Sequence, residues 1–231
     1  MDEYLFPPPP VASLPVLAES RRFPVGRIFC VGRNYAAHAA EMGAEVDREA
    51  PFYFLKSAHA VLHSGETLPY PPGTGDLHHE IELAVAIGAP AFRIPAAQAE
   101  AAIWGYGSAL DMTRRDLQAR AKAKQRPWDL GKNFEGGAVL SPLTRAADFR
   151  PEGQRIHLEV NAAVRQDSVI SDMVWSIGEL ISDLSHYYHL APGDLILTGT
   201  PAGVGAVVAG DRLSGSVQGL AAVELTIGAA E

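Results

Sequence analysis

The sequence predicts an α+β fold in which strands outnumber helices. Apolar residues fall mostly in short runs typical of strands, and the helical segments do not alternate regularly with these runs. A doubly wound parallel sheet would require that alternation. The sequence contains no internal repeat and no linker to a second domain. We therefore expect a single domain over residues 27–231.

The expected elements follow from apolar patterning along the chain. Strands are expected at residues 27–31, 52–56, 80–87, 106–110, 156–160 and 194–199, with further β pattern over 206–227. Helices are expected at residues 34–42, 95–103, 114–125 and 176–188. The last helix begins with Ser176-Ile177-Gly178-Glu179, and this Ser-x-x-Glu spacing predicts a capping box on its first turn.

The first 26 residues predict an N-terminal arm. They contain Pro7-Pro8-Pro9-Pro10 and further prolines at 15 and 24. Proline lacks a backbone N–H and fixes φ, so this composition resists helix and favours an extended arm or short strands. We expect the compact fold to begin near Arg27.

Composition and charge exclude several classes of protein. The chain has 231 residues, of which 47% are hydrophobic and 20% charged, as in an ordinary globular domain. Its formal net charge is −8, which argues against a nucleic-acid or anionic-membrane surface because these need clustered Lys and Arg. A small anionic substrate remains compatible, since local cations can dominate a pocket.

The single cysteine, Cys30, lies in the apolar run Ile28-Phe29-Cys30-Val31. This position predicts a buried core thiol rather than a nucleophile, and one cysteine allows no internal disulfide. The sequence has no signal-peptide pattern and no apolar run near the ~20 residues that a spanning helix needs. We expect a cytoplasmic protein with no membrane partner.

Two acidic residues alternate with apolar ones in the strand predicted at 80–87. Successive side chains of a strand point to opposite faces, so Glu80 and Glu82 share one face while Ile81, Leu83 and Val85 share the other. Neighbouring carboxylates repel unless a cation lies between them, which makes the pair a candidate site for a hard metal ion. The alternative is a solvent-facing strand edge, and spacing alone favours it.

Further polar residues cluster around Asp111, which ends an apolar strand just before a helix. On that helix Arg115 and Gln118 are three residues apart and therefore share a face. Lys132, after the turn-like Arg126-Pro127-Trp128, adds another cation. Each alone could be a solvated surface residue, but together they favour a site at the rim of the sheet.

The glycine-rich segment Leu197–Gly205 does not predict a phosphate loop. It lacks the Gly-Lys-Ser/Thr ending, and no amphipathic helix follows it. Thr198 or Thr200 could offer a hydroxyl or a backbone N–H to a substrate carboxylate. A tight structural turn is an equally good reading of this segment.

The chain resembles the fumarylacetoacetate hydrolase family, and within it the bacterial fumarylpyruvate hydrolases and related acylpyruvases. Four ordered motifs carry the resemblance, which runs from about Phe23 to the C-terminus: Cys30-Val31-Gly32-Arg33-Asn34-Tyr35-Ala36-Ala37-His38, Glu80-Ile81-Glu82-Leu83, Leu110-Asp111-Met112-Thr113-Arg114-Arg115-Asp116-Leu117-Gln118 and Leu197-Thr198-Gly199-Thr200-Pro201. The resemblance implies a mixed β-roll, usually as a homodimer, and a catalytic domain that hydrolyses a C–C bond of a small anionic 2-oxo acid.

The resemblance also assigns roles to individual residues. It implies that Glu80, Glu82 and Asp111 hold Mg2+ or Mn2+, which Ca2+ can replace in crystals. The catalytic His/Glu pair of the family, on a lid that orders over the substrate, falls on His38 and Glu41. The residues that contact and polarise the substrate fall on Arg115, Gln118, Lys132 and Thr200.

Substrate choice depends on the distal part of the pocket. Many relatives have Lys-Pro where this chain has Lys56-Ser57, and Asp and Pro at the positions of Glu135 and Val139. A fumaryl group ends in a carboxylate that needs a cation, and Arg33 is the candidate, unless it pairs with an acidic neighbour and only holds the loop.

Three functions compete on this site. The first is hydrolysis of fumarylpyruvate to fumarate and pyruvate, as in aromatic breakdown. The second is decarboxylation of oxaloacetate, or a hydroxymuconate-type isomerase or decarboxylase reaction. The third is a binding protein that has lost turnover. The joint presence of His38, Lys132 and the three acidic residues argues against the third.

Overall fold

The structure is a computed structural model that describes residues 4–43 and 48–230. The α-helices in these residues are α1 (Ala36–Glu41), α2 (Arg115–Ala123), α3 (Asp129–Lys132) and α4 (Ile177–Tyr187). Short 3-10 helices cover Ala58–Ala60, Ala96–Ala102, Ala146–Asp148 and Ile170–Asp172. The strands are β1 (Ser13–Leu14), β2 (Phe23–Pro24), β3 (Ile28–Gly32), β4 (Phe52–Lys56), β5 (Val61–His63), β6 (Thr67–Tyr70), β7 (Leu77–His79), β8 (Ile81–Ile87), β9 (Ile103–Asp111), β10 (Thr113–Arg114), β11 (Ala138–Leu140), β12 (Thr144–Arg145), β13 (Arg155–Val160), β14 (Ala163–Val169), β15 (Leu195–Leu197), β16 (Gly205–Val207), β17 (Arg212–Val217) and β18 (Val223–Ala230).

Most strands belong to two large sheets. The eight-stranded sheet has the order β4-β3-β15-β8-β9-β11-β5, with β12 also paired to β9. The five-stranded sheet has the order β14-β13-β17-β18-β6, and smaller sheets join β10-β7-β16 and β1-β2. Pairing is mixed, since β15 runs parallel to β3 and antiparallel to β8. This architecture confirms the predicted α+β fold and its mixed β-roll.

The eight-stranded sheet is buried on both faces. Leu83 and Val85 of β8 belong to the larger core, which also contains the apolar side chains of β13, β17, β18 and α4. Ala84 and Ala86, which point to the opposite face, belong to a second core with Cys30. The buried thiol of Cys30 confirms the prediction of a core cysteine, and burial raises its pKa well above the ordinary value.

Most expected elements are confirmed with shifted bounds. The capping box on α4 is present: the Ser176 hydroxyl accepts from the Glu179 N–H, and the Glu179 carboxylate accepts from the Ser176 N–H. The helix expected over residues 95–103 is wrong in type, because Ala96–Ala102 forms a 3-10 helix. No helix in the described part of the chain is long and apolar enough to cross a membrane.

The N-terminal segment includes the short strands that its composition allowed. β1 and β2 pair antiparallel, and Leu14, Val16, Phe23 and Val25 are buried in the second core. The boundary at residue 26 stays a prediction. The burial of these four side chains favours a compact domain that begins closer to the N-terminus.

Candidate metal and substrate site

The register of two central strands brings three carboxylates to one face. Ile81 of β8 pairs with Leu110 of β9, and the Asp111 N–H donates to the Glu80 carbonyl at 2.8 Å. Glu80 therefore lies opposite Asp111, and Glu82 is two residues along on the same face. The apolar side chains of Ile81 and Leu83 fill the core on the other face, as their alternation predicted.

These three carboxylates are buried rather than exposed at a strand edge. Glu80, Glu82 and Asp111 are at most 4% exposed. One oxygen from each lies within 4.8 Å of the others. The solvent-edge reading of the alternating glutamates is thus wrong, and the geometry favours the metal reading.

Three cations surround the carboxylates. The Lys132 ammonium donates to Glu80, Asp111 and Thr113, each at 2.7 Å. The Arg115 guanidinium pairs with Glu80 and donates to the Gln118 amide oxygen at 2.6 Å, which confirms that these two α2 side chains share a face.

Lys56 is the third cation, and the sequence reasoning did not include it among the site residues. Its ammonium lies 2.8 Å from Asp111 Oδ1 and donates to the backbone carbonyls of Met112 and Lys132. The signal in the sequence was a lysine that ends the apolar strand Phe52–Leu55, where a charged side chain must find a buried partner.

The cations divide the carboxylates into two kinds. Burial acts to raise the pKa of Glu80, but attraction by Lys132 and Arg115 outweighs it and leaves that pKa well below the usual range. Burial, together with repulsion by Asp111 and Glu80, raises the pKa of Glu82 well above its ordinary value. Burial lowers the pKa of Lys132, but the attraction of Asp111 and Glu80 is larger and raises it overall. Glu82 is therefore the carboxylate that lacks charge compensation.

The donor set fits a hard divalent cation. All three groups offer carboxylate oxygens, the ligands that Mg2+ and Mn2+ prefer. Asp111 Oδ1 is buried without a hydrogen bond of good geometry, although Lys56 is close to it. A divalent ion between the carboxylates would supply the charge that Glu82 lacks.

The loop after β15 closes over Glu82. The Gly199 N–H donates to Glu82 Oε2 at 2.8 Å, and Gly199 adopts φ +96°. A Cβ at this position would lie 2.7 Å from Asn34 Cβ, so only glycine fits. The Thr198 hydroxyl donates to the Leu83 carbonyl and supports the loop.

Helix α1 brings the predicted catalytic pair to the same place. His38 Nδ1 lies 3.2 Å from Glu41 Oε2, as their i, i+3 spacing allows. The Glu41 carboxylate also accepts from the Gly203 N–H, which ties α1 to the loop after Thr200. His38 is buried and the Glu41 side chain is partly exposed.

One cleft, partly open to solvent, brings most of the predicted residues together. Its walls include Arg33, His38, Glu80, Glu82, Arg115, Gln118, Lys132 and Thr200. Glu41 and Asp111 join through the contacts described above, so all ten predicted site residues come together. Such a cleft can bind a chelating anion beside the buried His38 imidazole.

Comparisons with known proteins agree with this arrangement. The fumarylacetoacetate (FAA) hydrolase C-terminal family model matches residues 27–228. A fumarylpyruvate hydrolase from Ralstonia sp is 51% identical over 192 residues, which cover 82% of this chain and 100% of the relative. An oxaloacetate tautomerase from Escherichia coli is 40% identical over 199 residues, which cover 85% and 90% of the two chains.

Solved structures give the same result. The crystal structure of fumarylpyruvate hydrolase from Pseudomonas aeruginosa in complex with Mn2+ and pyruvate matches with a TM-score of 0.95 at 46% identity, covering 98% of this chain and 100% of that one. The family model matches most of the chain, and the relatives above share 40–51% of its residues. The chain therefore belongs to the fumarylacetoacetate hydrolase family.

Proposed function

We propose that this protein hydrolyses a C–C bond of an acylpyruvate, with fumarylpyruvate giving fumarate and pyruvate as its main reaction. The observation that carries the proposal is a single cleft whose lining includes two buried carboxylates, two cations and His38. A third carboxylate, a third cation and the partner of His38 are bonded to this lining: Asp111, Lys56 and Glu41. The relatives named fumarylpyruvate hydrolase, one of them solved with Mn2+ and pyruvate, support the same substrate class.

The charge balance of the site suits a dianion. Glu80, Glu82 and Asp111 carry −3 when ionised, and Lys56, Lys132 and Arg115 carry +3. The six side chains together therefore carry no net charge. Glu80, Glu82 and Asp111 would hold Mg2+ or Mn2+, and the site with its metal would then carry a net charge of +2. Fumarylpyruvate carries two carboxylates, so it matches this charge better than a monoanion does.

The metal would act as an electron sink for a chelated 2-oxo acid. Around it, Arg115, Gln118 and Thr200 bind and orient the carboxylate of the pyruvoyl group. Lys132 holds Glu80 and Asp111 together, because its ammonium bonds to both carboxylates, which would otherwise repel one another, and Lys56 holds Asp111 from its other oxygen. Arg33 binds the distal carboxylate.

His38 is the base in this proposal. Glu41 orients the imidazole, which takes a proton from a water molecule as that water attacks the C4 carbonyl. The C3–C4 bond then breaks, its electron pair remains on the pyruvate fragment as an enolate, and C4 becomes the new carboxylate of fumarate. Protonation of C3 gives pyruvate, and one proton is released overall.

Oxaloacetate chemistry is the second candidate. Several relatives at about 40% identity are named oxaloacetate tautomerase. Tautomerisation and decarboxylation both pass through an enolate but need no attacking water. The second carboxylate of oxaloacetate is attached to C3, next to the 2-oxo carbon. It therefore lies closer to the metal than the end of a fumaryl group does, and these reactions do not use Arg33.

A substrate panel tests the proposal. Purified protein with Mg2+ or Mn2+ is given fumarylpyruvate, acetylpyruvate or oxaloacetate, and loss of enol absorbance, fumarate formation and CO2 release are followed. We expect fumarylpyruvate to have the highest kcat/KM, with stoichiometric fumarate and pyruvate. A preference for oxaloacetate would favour the second candidate, and no turnover of any of the three would favour a binding protein.

We also propose a homodimer that forms through β4. This strand is an edge of the eight-stranded sheet, and its Phe52 and Leu55 are exposed. Phe52 packs edge-on against Trp128 at 4.9 Å between ring centroids, which extends the apolar surface. Sedimentation should give a dimer for wild type and a monomer for Leu55→Lys, with Val208→Lys as the exposed control. A monomeric wild type would refute the proposal.

A cytoplasmic location is proposed on chemical grounds. The sequence has one cysteine, and its thiol is buried, so the fold uses no internal disulfide. Cell fractionation with an antibody to the native protein tests this, and recovery outside the cytoplasmic fraction would overturn it.

A further inference from the structure

Gln166 is a buried amide whose four hydrogen-bonding positions are all used. It lies on β14, in the five-stranded sheet, and is completely buried. Its Nε2 donates to Thr200 Oγ1 and to the Pro201 carbonyl, each at 2.8 Å. Its Oε1 accepts from the Ile81 N–H at 3.0 Å and lies 3.1 Å from His79 Nδ1. One side chain thus joins the loop after β15 to the start of β8, between Glu80 and Glu82.

Backbone groups fix the orientation of this amide. The Ile81 N–H can only donate, so the atom that faces it must be the amide oxygen. The Pro201 carbonyl can only accept, so the atom that faces it must be the amide nitrogen. A flipped amide would lose both bonds inside the protein, where each unsatisfied group is costly.

This orientation determines how Thr200 can bond. Because Gln166 Nε2 only donates, Thr200 Oγ1 must accept from it and keeps its own proton for another partner. No hydrogen bond from the Thr200 hydroxyl to another part of the described chain is present, and Thr200 lines the cleft beside Arg115 and Gln118. Its proton is therefore available to an acceptor in the cleft.

Gln166 also bonds on both sides of a metal ligand. His79 and Ile81 flank Glu80 in sequence, and both are hydrogen-bonded to Gln166 Oε1. Since Oε1 can only accept, His79 carries a proton on Nδ1. The Gln166 amide therefore fixes the backbone on either side of Glu80 and also makes the Thr200 hydroxyl an acceptor toward Gln166, which leaves its proton free to donate.

We propose that Gln166 is a positioning residue that makes Thr200 a hydrogen-bond donor to a carboxylate oxygen of the bound 2-oxo acid. The proposal rests on the proposed function, since it concerns how that site selects an anion. A hydroxyl that is already oriented as a donor favours an anion over a neutral or cationic group and needs no reorientation on binding.

A double-mutant cycle tests the proposal, with oxalate as the probe and Mn2+ present at saturation. Calorimetry gives the oxalate Kd for wild type, Gln166→Met, Thr200→Val and the double variant. We expect each single change to weaken binding by about 5- to 50-fold, and the double variant to stay within about twofold of Thr200→Val. Thr200→Ser keeps the hydroxyl and should bind like wild type. Gln218→Met, at an exposed glutamine, is the matched control.

The outcomes separate this proposal from the proposed function. If Gln166→Met weakens oxalate binding equally with and without the Thr200 hydroxyl, Gln166 is only structural and the proposal is wrong. If wild type does not bind oxalate with Mn2+, the proposed function and this inference both fail.

A second variant covers the case in which Gln166→Met does not fold. Gln166→Glu keeps the acceptor for Ile81 and, once ionised at alkaline pH, cannot donate, so the Thr200 proton should turn toward it. Relative to wild type at the same pH, oxalate binding should then weaken progressively as the pH rises, and wild-type affinity at every pH would contradict the proposal.

Discussion

At the scale of single residues, the same substitution should affect stability much more at Glu80 than at Glu82. Glu80 is paired with Lys132 and Arg115, whereas Glu82 accepts only from the Gly199 N–H among the described bonds. Glu80→Gln leaves Arg115 without its carboxylate partner and Lys132 with only Asp111, and it should destabilise the metal-free protein by about 3–5 kcal/mol. Glu82→Gln removes an uncompensated carboxylate and should change stability by less than about 1 kcal/mol, or increase it.

Urea unfolding in the presence of a chelator measures this difference. Both variants should lose turnover and bind Mn2+ at least tenfold more weakly, because each lacks a ligand oxygen. Equal destabilisation by the two changes would mean that the surrounding cations do not distinguish the two carboxylates.

Arg33 is the residue on which we propose that the choice of substrate depends. It adopts φ +59°, a left-handed conformation that costs energy for a non-glycine residue, and its side chain lines the cleft. The structure shows no acidic partner for Arg33 among the described residues, and the choice between substrate binding and loop support stays a prediction.

Arg33→Met should therefore impair fumarylpyruvate far more than acetylpyruvate. A lost charge-assisted contact costs about 1.5–3 kcal/mol, or one to two decades in kcat/KM, and acetylpyruvate has no distal charge to lose. Steady-state kinetics give the loss of kcat/KM on fumarylpyruvate relative to the loss on acetylpyruvate. Equal losses would show that Arg33 acts through the fold of the loop.

At the scale of elements, α1 should act as one catalytic unit. Glu41 contacts both the His38 imidazole and the Gly203 N–H, so its carboxylate links the proposed base to the loop after β15. His38→Ala and Glu41→Ala should each reduce kcat by similar factors, on the order of 10²–10⁴, and leave Mn2+ affinity nearly unchanged. The double variant should be about as active as the weaker single one. If the loss of kcat in the double variant equalled the product of the two single losses, His38 and Glu41 would act independently.

The mobility of the α1 segment as a lid stays a prediction.

The hairpin that carries Gln166 offers a test of local backbone strain. β13 and β14 are joined by Asn161 and Ala162, which have φ +52° and +62°. Alanine is disfavoured in the left-handed region, so Ala162→Gly should stabilise the protein by about 0.5–1 kcal/mol. Ala163→Gly, in the adjacent extended strand, is the control and should destabilise it by a similar amount. Chemical denaturation measures the free energy of unfolding of both variants. If the two changes shifted stability in the same direction, the strain argument would be wrong.

The same turn explains why part of the fold was not predictable. The usual signal for a two-residue hairpin is Asn-Gly, and Asn161-Ala162 does not carry it, so β14 and the role of Gln166 were missed. Strands β7 and β10 were missed because two or three residues carry no periodicity, and their pairing depends on distant partners. Longer apolar strands such as β8 were predictable, because their alternation is local.

The acidic triad was predictable in part for the same reason. Alternation alone put Glu80 and Glu82 on one face, but their burial and the approach of Asp111 depend on the register between β8 and β9. Lys56 was missed because its contact with Asp111 joins residues far apart in sequence. From the sequence, only the family resemblance indicated that Asp111 joins Glu80 and Glu82 in one metal site.

At the scale of the whole molecule, the site lies within the core rather than on the surface. The eight-stranded sheet is packed on both faces, and its polar site shares one face with the second apolar core. Every ligand position therefore depends on the folded state, and the unfolded chain offers no preformed site. Metal binding must contribute to the stability of the whole domain.

Removal of the metal should accordingly lower the melting temperature. At a free Mn2+ concentration 100 times the Kd, selective binding to the native state adds about 2.7 kcal/mol, or roughly 5–10 °C for a domain of this size. Calorimetric scans of chelator-treated protein, with and without added Mn2+, measure the shift. Glu82→Gln is the control, because it keeps the fold but lacks a ligand oxygen, and the same Mn2+ concentration should raise its melting temperature by at most about half as much as in wild type. A wild-type protein that melts at the same temperature in both buffers and keeps full turnover without metal would rule out a metal at the Glu80, Glu82 and Asp111 site.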